Sequence, residues 1–131
     1  MTRSALQRLA LGVSLLLGWA AALPMTPASA QENLAVDLEL VLAADGSGSI
    51  DATEMALQRD GYAEAITSSE ILDAITQGFD GQIAVTYVEW GGAGSQHVIV
   101  PWTIIDGPES AEAFAAALRT EPRRATGWNS I

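Results

Sequence analysis

The hydrophobic and polar positions from residue 36 onward change between strand-like and helix-like spacing. Val36 to Ala43 is predicted to be a strand that alternates at its start and is apolar on both faces near its end, as in a covered parallel strand. Helical spacing predicts a helix over Asp51 to Ile66. Asp51 begins it, and Glu54 three residues later resembles the second member of a capping box. A second, shorter helix is predicted over Ser69 to Thr76.

The pattern continues with two strands and a helix. Ile83 to Trp90 and Gln96 to Thr103 are predicted to form an antiparallel hairpin, because the link between them is too short for a parallel crossover. Pro101 places the second of these strands at a sheet edge. A last helix is predicted over Pro108 to Arg119. This order of elements predicts an α/β fold in which the covered first strand pairs in parallel.

The first 30 residues have the pattern of a secretory signal peptide. Arg3 and Arg8 precede an apolar stretch from Leu9 to Leu23, and Ala28 and Ala30 form a small-x-small cleavage site. The apolar stretch is shorter than the ~20 residues that a membrane span needs. We expect cleavage after Ala30, which would leave a periplasmic or secreted domain over residues 31–131 with no membrane anchor.

Charge narrows the partners of that domain. Residues 31–131 carry all 16 acidic residues and only four arginines, which gives a formal charge of −12. Nucleic acids and anionic membrane surfaces require positive patches, so neither is an expected partner. The chain has no cysteine and no lysine, which excludes disulfides, Schiff-base chemistry and a Walker-type phosphate site.

The candidate chemistry lies in the pentapeptide DGSGS, which follows the first strand. Asp45, Ser47 and Ser49 bring a carboxylate and two hydroxyls to the carboxyl end of that strand, where ligands bind in open α/β sheets. Oxygens of this kind suit hard cations, so the turn is a candidate site for Mg²⁺ or Ca²⁺. A glycine- and serine-rich turn can also be only a loop.

The chain resembles the von Willebrand factor A domain in this motif, Asp-x-Ser-x-Ser between a strand and a helix. The segments VLAADGSGSID, LQRDGYAEAI, IAVTYVEWGGAGSQHVIVPWTII and RRATGWNSI occur in the order seen in a bacterial branch of A-like domains of unknown function. The resemblance implies a doubly wound, mostly parallel sheet with an antiparallel edge hairpin. It also implies that residues 31–131 are the amino-terminal portion, truncated before the later strands.

The resemblance further implies a metal-ion-dependent adhesion site. Ser47 and Ser49 would bind the ion, and Asp45 would bind it directly or through water. Asn129 falls where the family has Thr in its second metal-binding loop; an amide oxygen can bind a hard cation but differs from Thr in length and planarity. Gly46 stands where the family mostly has an apolar residue, which we expect to loosen the turn. The partner would be a protein that offers an acidic residue to the ion.

Two other interpretations of the DGSGS turn remain open. Asp45 could be the nucleophile of a phosphoaspartyl-type hydrolase, although Ser47 stands where a second Asp is expected and no lysine is present. The domain could also be a degenerate scaffold that binds no metal. Neither serine lies in a Gly-x-Ser-x-Gly nucleophile elbow, so we expect a binding module rather than an enzyme.

Other polar and aromatic residues carry weaker hypotheses. Glu89, Trp90 and Trp102 could line a surface near the hairpin, although aromatic residues on strands more often belong to the core. His97 is the only histidine and lacks a zinc partner. The arginines near the C-terminal end of the last helix could bind an acidic partner or simply favour the negative end of that helix.

Overall fold

Three strands and three helices occupy residues 34–128, the part of the chain that the computed structural model describes. The strands are β1 (Leu38–Asp45), β2 (Ile83–Trp90) and β3 (Gln96–Ile105), and the helices are α1 (Ala52–Thr67), α2 (Ser69–Thr76) and α3 (Pro108–Thr120). The expected signal peptide and Asn129 lie outside the described residues. None of the helices in the described part has the length and apolar character needed to cross a membrane.

The sheet has the order β1-β2-β3 and is mixed. β1 pairs with β2 in parallel, with Leu38 opposite Ile83 and Asp45 opposite Trp90. β2 pairs with β3 in the antiparallel sense, which confirms the predicted hairpin. β3 is an edge strand, as Pro101 predicted, and among residues 34–128 β1 has no strand on its other side. The α/β class is therefore confirmed, with a sheet of three strands.

The helix that follows β1 begins where the sequence predicts. Asp51 is its N-cap residue and accepts hydrogen bonds from the backbone N of Thr53 at 2.7 Å and of Glu54 at 2.9 Å. The Glu54 carboxylate accepts in turn from the Asp51 backbone N at 2.9 Å. This reciprocal capping box satisfies helix N–H groups that have no partner inside the helix. The start of α1 is thereby held close to the turn that follows β1.

The helices cover one face of the sheet. The core on this side is built from residues of β2, β3 and the helices that are almost inaccessible to solvent: Ala63, Val85, Tyr87, Ile105, Phe114 and Leu118. The opposite face is open, with Val41 52%, Val98 54% and Trp102 53% exposed. The prediction that β1 is covered on both faces is therefore wrong for the described part of the chain. The apolar run in β1 indicates that its side chains favour burial, but it does not indicate which face of the strand a helix packs against.

Candidate functional site

The turn after β1 holds its two serine hydroxyls together. Asp45 is the last residue of β1, and its Oδ1 accepts a hydrogen bond from the backbone N of Ser47 at 2.8 Å. The Oγ atoms of Ser47 and Ser49 are 3.1 Å apart. Ser47 is fully buried and Ser49 is exposed. The three predicted ligand residues are thus brought together on one short turn, which opens to solvent at Ser49.

Gly46 is buried beneath this turn, and its small size has a steric reason. A Cβ at Gly46 would lie 2.6 Å from the Cβ of Ala125. The Gly46 backbone N donates a hydrogen bond to the Trp90 carbonyl oxygen at 2.7 Å, which extends the pairing of β1 with β2 by one residue. We expected glycine here to loosen the turn; the structure gives it a different role, which is to admit Ala125 beneath the turn.

The closing segment, residues 123–128, lies against both the DGSGS turn and the β2–β3 hairpin. The Gly48 backbone N donates to the Gly127 carbonyl oxygen at 2.7 Å. The Gly92 backbone N donates to the Thr126 carbonyl oxygen at 3.0 Å. Gly127 has φ +85°, a left-handed conformation that glycine adopts without strain. The segment that leads to the predicted second metal loop therefore adjoins the first loop.

The hairpin loop makes room for the closing segment and anchors it. A Cβ on Gly91 would collide with the Thr126 carbonyl oxygen, so the close approach of the two backbones requires glycine there. The buried Ser95 hydroxyl accepts a hydrogen bond from the Thr126 backbone N at 2.9 Å. His97 is half-buried, with its Nε2 3.3 Å from the Ser95 Oγ. The lone histidine thus lies beside the polar contact that holds the segment.

The Arg123 side chain binds the backbone carbonyl oxygens of the turn. Its Nη1 donates to the Ile50 carbonyl oxygen at 2.7 Å, and its Nη2 donates to the carbonyl oxygens of Gly46 at 2.6 Å and Ser47 at 2.5 Å. The planar, rigid guanidinium suits such simultaneous contacts better than a lysine ammonium would. Arg123 therefore fixes the backbone that carries the serine hydroxyls.

Glu89 forms the buried centre beneath the closing segment. The residue is fully buried, and its Oε1 accepts from Arg59 Nε at 3.2 Å and Arg59 Nη2 at 2.5 Å. Its Oε2 accepts from the backbone N of Arg124 at 3.1 Å and of Ala125 at 3.4 Å. The hypothesis that Glu89 lines a surface is therefore wrong: its carboxylate faces inward to bind these donors.

Arg59 extends this buried centre to the end of α3. Its Nη1 donates to the carbonyl oxygens of Leu118, at 3.1 Å, and Glu121. These carbonyls lie at and just beyond the last turn of the helix, where no intrahelical donor is available. The guanidinium also lies 5.7 Å from the centroid of the Tyr87 ring. One ion pair thus ties α1, β2 and α3 to the closing segment.

The sequence did carry a signal for this pair, although our interpretation missed it. Arg59 is buried on α1 in line with Met55, Ala63 and Ile66, so a charge interrupts an apolar stripe of helical spacing. Glu89 likewise interrupts an apolar strand. A buried charge requires a partner of opposite sign, so two such interruptions of apolar surfaces could have indicated an ion pair.

Of the remaining predicted residues, Trp90 adjoins the turn through its carbonyl oxygen, which accepts from the Gly46 backbone N at 2.7 Å. Trp90 ends β2 and is half-buried, whereas Trp102 is exposed on the open face of the sheet. Arg119 pairs with Asp60 at 3.0 Å on the surface. Within residues 34–128, no three side chains of His, Cys, Asp or Glu come together as a metal site.

A comparison with protein families covers nearly all of the described residues. A family model described as a protein of unknown function, DUF1194, matches residues 35–131. The chain belongs to this family. Searches of curated proteins and of solved structures found no match. The family match covers both the DGSGS turn and the closing segment, so the juxtaposed loops lie within the family domain.

Proposed function

We propose that the chain is an exported binding module of the von Willebrand factor A type, in which the DGSGS turn holds Mg²⁺ or Ca²⁺. An acidic residue of a protein partner would complete the coordination of the ion. The observation that carries this proposal is the pairing of Ser47 and Ser49, with hydroxyl oxygens 3.1 Å apart, on a turn anchored by Asp45.

The spacing of these oxygens fits a divalent ion. Ligands at right angles around Mg²⁺, each about 2.0–2.1 Å from it, lie about 2.9 Å from each other, and the corresponding value for Ca²⁺ is about 3.3–3.7 Å. The Ser47–Ser49 separation of 3.1 Å falls between the two. Because this is also a hydrogen-bonding distance, the hydroxyls can exchange one interaction for the other with little movement of the turn.

The second support is the position of the closing segment. Its Gly127 carbonyl oxygen accepts from the Gly48 backbone N, so the chain leaves the described part directly beside the turn. The next residue after Trp128 is Asn129, the candidate for the second-loop ligand. The contact of Gly127 with Gly48 favours a site assembled from two loops over an isolated polar turn.

Metal affinity is expected to be weak. Asp45, Ser47 and Ser49 supply three of the roughly six oxygens that Mg²⁺ takes, and water would supply most of the others. Asp45 brings the only formal charge among the three, so it should contribute most of the affinity. We expect a dissociation constant on the order of 1 mM, as in low-affinity calcium modules.

Calorimetric titration with MgCl₂ and CaCl₂ tests this assignment. Asp45→Asn and Ser47→Ala should each weaken binding at least about tenfold, the equivalent of one lost ligand at ~1.4 kcal/mol. Ser69→Ala and Asp73→Asn are matched controls, because they remove the same groups from exposed positions on α2. Equal affinity in Ser47→Ala and Ser69→Ala would reject the DGSGS turn as the metal site.

The two alternative functions predict different outcomes. A degenerate scaffold would show no saturable metal binding in any variant. A phosphoaspartyl-type hydrolase would release phosphate from an aryl phosphate and lose that activity in Asp45→Asn. We expect no such activity from a binding module.

Export has its own test. Secretion of the chain by a bacterial host should give a mature amino terminus at Gln31, found by mass spectrometry of the periplasmic or secreted fraction. A product that retains Met1 in the membrane fraction would contradict cleavage.

A further inference from the structure

Three of the four arginines in residues 31–131 line one cavity. Arg59, Arg119 and Arg123 border a space of about 240 Å³, and the remaining wall is apolar and comes from Ala52, Met55 and Ala56 of α1. In a segment with a formal charge of −12, this is a local concentration of positive charge. The cavity is separate from the hydroxyls of the DGSGS turn, which are not among its lining groups.

The positive charges at the cavity are unequally neutralised. Arg59 is paired with the buried Glu89. Arg123 forms an ion pair with no acidic side chain in the described residues, and it donates instead to three backbone carbonyl oxygens. Carbonyl dipoles satisfy its N–H groups but leave its full charge in place. The cavity therefore keeps a net positive charge on the Arg123 side.

Arg119 supplies free hydrogen-bond donors. Its Nε donates to Asp60 at 3.0 Å, and the side chains of the pair are 42% and 50% exposed. The two Nη atoms carry four N–H groups that have no acceptor among residues 34–128. This fork suits a carboxylate, which accepts two parallel hydrogen bonds from one guanidinium.

We propose that this cavity binds a carboxylate group carried on a small apolar body. The carboxylate would accept hydrogen bonds from Arg119 and would be attracted by the positive charge of Arg123. The apolar part would contact Met55 and the two alanines. A volume of about 240 Å³ holds roughly eight water-sized groups, enough for a short-chain organic acid or for the carboxyl end of a peptide. The net negative charge of the domain repels anions at long range, so binding must arise from these local contacts.

The proposal is tested by NMR of the Met55 methyl group, assigned with Met55→Leu, during titration with butyrate in a buffer freed of divalent ions on a chelating resin. Butyramide is the neutral control for butyrate. A short peptide with a free carboxyl end and its amidated form separate a peptide source from a free acid. Because the buffer contains no divalent ions, this experiment can fail or succeed independently of the proposed metal site.

Two arginine variants and one aspartate variant locate the binding. Arg119→Gln should weaken butyrate binding at least about fivefold, because it removes a charged donor pair. Arg124→Gln is the matched control: it removes the same charge from an exposed side chain that does not line the cavity, and it should change affinity less than about twofold. Asp60→Asn should strengthen binding, because it removes the carboxylate that competes for Arg119.

We expect a saturable shift of the Met55 methyl with butyrate or the free-carboxyl peptide, and none with the neutral forms. Saturation by butyrate alone would identify a small acid as the ligand, and saturation by the peptide alone would identify a partner chain. Absence of a saturable shift up to about 50 mM with every anion would overturn the proposal. Equal weakening by Arg119→Gln and Arg124→Gln would also overturn it, because the effect would then come from the overall field.

Discussion

Replacing Glu89 by Gln is the substitution with the largest expected effect on the fold around the site. The Glu89 carboxylate is fully buried and accepts from the Arg59 guanidinium and from two backbone N–H groups of the closing segment. Glutamine has nearly the same shape but only one acceptor oxygen. Its amide NH₂ must then face either the guanidinium or the backbone donors, and neither can accept a hydrogen bond.

The size of the effect follows from the burial of both partners. The side chains of Arg59 and Glu89 are 7% and 0% exposed, so the substitution leaves a guanidinium charge out of water without its partner. Loss of one member of a buried ion pair costs about 3–5 kcal/mol. The total stability of a small domain is about 5–15 kcal/mol, so a large share of the free energy of unfolding would be lost.

Urea denaturation followed by circular dichroism measures this loss, and Asp60→Asn is the matched control. It breaks the other ion pair of the described residues, Asp60–Arg119, whose side chains are 42–50% exposed, and should cost less than about 1 kcal/mol. Hydrogen exchange at the Gly48 amide gives a second readout, because this amide donates to the closing segment. Glu89→Gln should accelerate that exchange beyond the change in global stability.

A double substitution separates the charge from the hydrogen bonds. Arg59→Met with Glu89→Met should be less destabilised than Glu89→Gln, because no unpaired charge remains. It should still be less stable than the wild type by about 1–3 kcal/mol, because the carbonyl oxygen of Leu118 loses its donor. A cost for Glu89→Gln within about 1 kcal/mol of the Asp60→Asn cost would refute the reasoning, since the buried pair would then behave as a surface pair.

Two further predictions concern glycine packing and pH. Gly46→Ala should lower the free energy of unfolding by about 1–3 kcal/mol, because the new Cβ would lie 2.6 Å from the Cβ of Ala125. Adding Ala125→Gly should restore part of this loss. Gly61→Ala is the control: Gly61 has open space around it, so this substitution should raise the free energy of unfolding by about 0.5–1 kcal/mol. Hydrogen bonds from backbone N–H groups, chiefly that of Asp80, lower the pKa of Asp37 below its ordinary value of 3.8. The ionised Asp37 side chain therefore stabilises the folded state above pH 3.8, and this stabilisation is lost as the pH falls through the folded-state pKa. Urea midpoints should therefore fall less steeply below about pH 4 in Asp37→Asn than in the wild type, and parallel slopes would exclude this role.

The local elements could be predicted from the sequence because their signals are local. The predicted bounds of α2 and β2, Ser69–Thr76 and Ile83–Trp90, are those of the structure. The capping box of Asp51 and Glu54 depends on residues three positions apart. β1 begins two residues later than predicted and extends through Asp45, because pairing with β2 determines its length. That pairing is a long-range property which alternation alone does not contain.

The surroundings of the DGSGS turn could not be predicted in the same way. The closing segment is held largely through backbone atoms, such as the Gly127 carbonyl oxygen and the Thr126 N–H, which have no signature in composition or periodicity. The three-carbonyl contact of Arg123 joins residues more than 70 positions apart. The turn could be identified from adjacent residues in the sequence. The contacts that hold it in place join distant residues and could be identified only in the folded structure.

The most direct test of the proposed metal site is to locate a bound paramagnetic ion by the NMR signals that it broadens. Substoichiometric Mn²⁺ should broaden the backbone amide signals of residues 45–49 and of Gly127 first, and excess Mg²⁺ should restore them. In Ser47→Ala the broadening should require at least about ten times more Mn²⁺. Broadening that begins at acidic residues elsewhere on the surface, with the turn unaffected, would contradict the account: the ion would then follow the general negative charge and not the DGSGS turn.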